Sequence, residues 1–138
     1  YIPETSETIK AKHRPIVIIT SNAEKELPDA FLRRCIFHYI EFPNEELMKD
    51  IIKVHYPDLD SKIINQTIAA FYYVRSLRDI QKKPSTSEII DWIQALTISG
   101  IPVERITKEI PFAGVILKKN EDIDALEKAK NRTTFPFK

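Results

Sequence analysis

Ile16-Val-Ile-Ile-Thr20 is a run of β-branched residues with no polar position before Thr20. A strand that is wet on one face alternates apolar and polar positions, and this one does not. It has the signature of a strand buried on both faces, as in a parallel sheet. Leu27-Pro28-Asp29 then starts a short helix, with Pro28 suited to its first turn, ending near Arg34. Cys35 to Phe42, CIFHYIEF, is a second strand-like run closed by Pro43. Strand, helix, strand predicts an α/β piece. Two such strands and one short helix cannot cover a parallel sheet, so further strands are expected from a parent molecule. The polar residues 1–14 read as a hairpin or loop feeding the first strand.

After Pro43 the periodicity changes. Asn44 is placed to cap EELMKDIIKVH, whose glutamates fall where the helix dipole favours them. Pro57-Asp58 ends that helix, and a longer one is predicted from Ser61 to about Asp79, with Ile64, Ile68, Phe71 and Val74 on one face. Ser85-Thr-Ser-Glu88 is a capping box opening a helix that carries Ile89, Trp92, Ile93 and Leu96, with Gly100 at its end. Pro102 opens a short helical turn through Glu109, and Asn120 caps a last helix, EDIDALEKAK. No strand longer than Gly114–Leu117 is expected in this part. The chain thus divides into residues 1–43, α/β, and residues 44–138, all-α.

Composition excludes several classes. Two glycines, Gly100 and Gly114, cannot make a phosphate-cradling loop, which needs several. A net charge of +1 gives no global field for nucleic acid or anionic membrane. No apolar run approaches the roughly 20 residues of a membrane span. The single Cys35 forbids an internal disulfide, fits a reducing cytoplasm, and at a helix-to-strand junction reads as a buried small hydrophobe. His13, His38 and His55 have no metal-ligand spacing, so no metal site is expected. Met48 is the only methionine, so a processed chain or a piece of a longer one is expected.

Three residues after the buried run carry the first chemical question. In open α/β sheets ligands sit at the carboxyl ends of strands, where Thr20, Ser21 and Asn22 stand. An amide there can orient a water against a γ-phosphate; equally, asparagine caps a turn or the next helix. Arg33 and Arg34 have a similar pair of readings. A fork on a short proline-started helix suits developing phosphate charge, and two cations also settle a helix C-terminus. Trp92 reads as core, and the Phe71-Tyr72-Tyr73 run exceeds a single buried face, leaving an aromatic for a core edge or a subunit contact.

VIITSN, LPDAFLRRC and IFHYIEFP, followed by ELMKDIIKVHYPDL, KKPSTSEIIDW and IPFAGVILKK, together resemble the AAA+ ATPases, most closely their MoxR-like branch. The resemblance covers nearly the whole chain. It implies the end of a P-loop AAA+ α/β core followed by an all-α lid subdomain. By it Asn22 corresponds to sensor 1 and Arg34 to the arginine finger, with Arg33 its neighbour or substitute. Many relatives carry a sensing arginine near KKPSTSE; here Ser85, Thr86 and Ser87 follow Pro84, leaving Lys83 and Ser85 as nucleotide-sensing candidates. The implied protein is a cytoplasmic, homo-oligomeric ring, a hexamer, using ATP and Mg²⁺ for chaperone-like remodelling of a protein client. The family's nucleotide-binding loop and acidic strand would precede this region, so the chain alone is expected neither to bind ATP tightly nor to hydrolyse it. The rival readings are a helical protein-interaction module without nucleotide chemistry, and a nucleic-acid binder using Arg33, Arg34 and the lysines around Lys82, which the net charge disfavours.

Overall fold

A helix closes its own backbone hydrogen bonds, whereas a strand needs a neighbour, and this difference divides the chain. The computed structural model describes residues 3–8, 10, 12–21 and 27–132. It separates into two units, Tyr1–Ile40 and Glu41–Lys138. Seven helices are present among the described residues: α1 (Asp29–Leu32), α2 (Glu45–His55), α3 (Ser61–Ser76), α4 (Thr86–Ser99), α5 (Val103–Glu109), α6 (Ala113–Ile116) and α7 (Asn120–Arg132).

The expected α/β piece does not form: among the described residues there is no strand and no sheet. Ile16 is 93% and Ile18 85% exposed, and Val17 and Ile19 between and beyond them are exposed as well. Ile36, Phe37, Tyr39 and Ile40 of the second run are equally bare. The β-type composition is present, but a strand's N–H and C=O groups need a paired ladder, and its alternating side chains need a surface on each face. Neither is available among these residues. Between the runs, α1 is a single turn with Pro28 as its N-cap and no buried residue. Cys35 is exposed rather than buried, because the junction it was expected to occupy does not exist.

In the second unit the helical periodicities meet a common core. The Asn44 carboxamide accepts from Leu47 N–H at 2.9 Å, opening α2, which buries Met48 and Ile52. Asp60 caps α3, whose buried positions include Ile64, Ile68, Phe71 and Val74. α4 buries Ile89, Trp92, Ile93 and Leu96 and ends on Gly100 at φ 62°, the left-handed conformation that glycine adopts without Cβ strain. α2 packs on α3 and α4, α5 lies along α3, and α6 lies against α4. The Tyr56 hydroxyl adds a bond to the Ile90 carbonyl at 3.2 Å.

Gly114–Leu117 is helical, not strand-like: Leu117 N–H donates to the Ala113 carbonyl at 2.8 Å, closing one turn of α6. That turn is entered through an unusual corner, with Ile110 at φ 47° and Phe112 at φ 56°. Left-handed backbone at such bulky residues costs about 1–3 kcal/mol each and persists only where surroundings impose it. Here the Trp92 indole N–H donates to the intervening Pro111 carbonyl at 2.6 Å.

α7 is joined to the rest by a carboxylate. Asp122, in its first turn, is fully buried and accepts from Gln81 N–H at 2.7 Å and Lys82 N–H at 3.1 Å. Replacing Asp122 with alanine removes the buried acceptor that two part-buried backbone N–H groups share. The expected loss is about 3 kcal/mol of unfolding free energy, read from the urea midpoint; a change below about 0.5 kcal/mol would show that water replaces the carboxylate freely.

Candidate functional site

The residues expected to carry chemistry fall into two groups, one in each unit. Asn22 lies outside the described residues. Arg33 and Arg34 follow α1 and are exposed. Arg33 is the C-cap of that turn, and its side chain has no partner among the described residues. The Arg34 guanidinium donates to the Ala30 carbonyl one turn back.

Lys83 and Ser85 share the connector before α4. Lys83 is exposed and without a partner among the described residues. Ser85 is committed to its own helix: its backbone N–H donates to Glu88 Oε2 at 2.8 Å and its side chain accepts from the Glu88 N–H, which closes the capping box, while its hydroxyl also donates to the Glu88 carboxylate. Burial alone would raise the Glu88 pKa. The Ser85 hydroxyl and N–H, Glu88's own N–H and the Lys118 charge outweigh it and hold the carboxyl below its ordinary value. A depressed carboxylate stabilises the fold above its unfolded pKa, and that contribution disappears as pH falls through the folded value. Glu88→Gln is therefore expected to flatten the acid limb of the stability–pH profile below about pH 4.5, with melting temperatures from circular dichroism as the check. An unchanged profile would remove the cap from the account.

Nothing in these groups cradles a nucleotide. Gly100 ends α4 and Gly114 sits within α6, so both glycines serve helices. Among the described residues no cluster of three or more His, Cys, Asp or Glu could hold a metal ion. Two shallow hollows exist, about 300 Å³ beside His55, Tyr56, Leu59 and Thr97 and about 210 Å³ beside Lys49, Lys53, Ser61 and Asn65. Neither contains a residue expected from the sequence to act on nucleotide. No helix among the described residues is long and apolar enough to cross a membrane.

Sequence reasoning missed Arg75. Its guanidinium lies 3.4 Å from the centroid of the Phe42 ring and donates to the Pro84 carbonyl. Burial lowers its pKa and Tyr72 opposes that shift; the fork stays charged at neutral pH. Tyr72 is no free docking aromatic, since its hydroxyl donates to the Pro43 carbonyl. Burial raises the Tyr72 pKa, Arg75 pulls it down and Glu45 adds to the rise. The available signal was spacing: Phe71 and Arg75 are one turn apart, which puts a cation beside an aromatic. No family model matches the chain, and neither the curated proteins nor the solved structures contain a significant match to it.

Proposed function

We propose that the helical unit acts as the lid of a MoxR-like AAA+ ATPase, a ring in which ATP binding and hydrolysis drive chaperone-like remodelling of a protein client. The observation that supports this reading is the bond between Trp92 and Pro111. The segments KKPSTSEIIDW and IPFAGVILKK carry the resemblance separately in sequence. Here they meet as one packed element, with α6 against α4. Nucleotide and Mg²⁺ would be held by residues other than the described ones. On this reading Arg34, or Arg33 in its place, is the fork offered to a nucleotide on the neighbouring subunit, and Asn22 orients water on its own.

Single arginine replacements in the assembled ring test the proposal, with ATP turnover and ATP affinity read separately. Turnover should fall for one arginine while affinity stays nearly constant, because a finger acts on charge that develops in the transition state. Unchanged turnover for both Arg33→Ala and Arg34→Ala would favour the second reading, an interaction module without nucleotide chemistry. That reading draws on exposed apolar side chains of the helical unit, Val54 at 83% and Ile98 at 80%.

A further inference from the structure

The last turns of α3 gather two distant connectors. The first is Phe42-Pro43, through which the chain enters the helical unit. The Phe42 ring stacks on Phe71, with centroids 6.3 Å apart and planes 21° apart, and meets Tyr72 edge-on at 6.2 Å. Tyr72 holds the Pro43 carbonyl as well. The second connector runs from Ile80 to Pro84 between α3 and α4, with both of these residues buried. Asp122 holds its Gln81 and Lys82 N–H groups on one side. On the other side Arg75 holds the Pro84 carbonyl.

Arg75 is the one side chain bonded or stacked to both connectors among these contacts. Its planar guanidinium presents a face to Phe42 while its in-plane N–H points at Pro84, two uses that do not compete. Half-buried, it also works where each interaction is stronger than in water. Movement of the Pro84 carbonyl must either carry the guanidinium with it or break the bond. Either response changes what lies over the Phe42 ring.

We infer that Arg75 is a coupling latch: it transmits displacement of the Gln81–Pro84 connector to Phe42, at the start of the helical unit. The coupling stands independently of the ATPase reading.

Fluorine NMR of the full chain labelled with fluorophenylalanine tests the latch, the Phe42 resonance being identified by its loss in Phe42→Leu. Asp122→Asn perturbs the far side of the connector without touching Phe42. The expected result is a displaced Phe42 resonance in Asp122→Asn when Arg75 is present, and loss of that displacement in the Asp122→Asn, Arg75→Met double variant. Arg75→Lys keeps the charge and stem but cannot stack and donate together, so it should abolish the displacement too and serves if the methionine variant does not fold. A Phe42 resonance unmoved by Asp122→Asn, or moved equally without the guanidinium, would overturn the proposal.

Discussion

Arg34→Ala is expected, under the ATPase reading proposed above, to lower ATP turnover of the assembled ring by a factor on the order of 10³–10⁵ while leaving the chain folded. The first half of that expectation follows from the chemistry of a fork placed against transferring phosphate, where charge spreads over oxygens as the bond breaks. The second half follows from local structure. α1 buries nothing, and among the described residues the Arg34 guanidinium is bonded only to the Ala30 carbonyl of α1. An exposed contact of this kind contributes within about 0.5 kcal/mol, so lost turnover could not be ascribed to unfolding. Arg34→Lys should recover little, because an ammonium cannot reproduce the bidentate fork. Arg33→Ala is the control that assigns the role. If it, rather than Arg34→Ala, abolishes turnover, the neighbouring position is the finger. The measurement is kcat with saturating ATP, beside a thermal melt of each variant.

Trp92→Ala is expected to destabilise the helical unit by about 4–5 kcal/mol, a large part of the roughly 5–15 kcal/mol that holds a typical domain together. Trp92 is fully buried within the apolar core of the helical unit, so truncation leaves a cavity that Ile89, Ile93 and Leu96 on the same helix cannot fill by small shifts. The indole also holds the Pro111 carbonyl between two left-handed residues, Ile110 and Phe112. Losing that bond removes the restraint on a strained corner. Trp92→Phe separates the terms: it keeps most of the apolar volume and loses the N–H, so about 1–2 kcal/mol is expected. Urea unfolding followed by circular dichroism serves both variants, since Trp92 is the only tryptophan and neither variant retains it as a fluorophore. Equal losses for alanine and phenylalanine would mean that the hydrogen bond, not the packing, dominates.

The helices from Asn44 to Ser99 were legible because their signals are local. A cap, an apolar period and a terminating glycine act within one or two turns; Asn44 caps α2 as expected, and α3 and α4 bury the positions named from spacing. α3 ends at Ser76, short of the expected Asp79, because Leu77 adopts an extended conformation. Gly114–Leu117 misled because Ile116 and Leu117 are both buried, which four apolar residues in a row report without saying whether they form a strand or a turn. Arg75 and Asp122 were invisible as anchors, because their partners are backbone groups 9 and 40 to 41 residues away.

By itself the sequence determined where helices can begin and end, which residues of each are apolar, and that two glycines leave no phosphate loop. It also determined that two apolar runs have β-type composition, but composition does not make a strand. Only the tertiary structure decided that those runs remain bare, that Trp92 closes on Pro111, and that one arginine serves two connectors. The physical reason is the range of the bonds: a helix satisfies its backbone from within, while strands, buried carboxylates and stacked guanidiniums take their partners from chain that is distant in sequence.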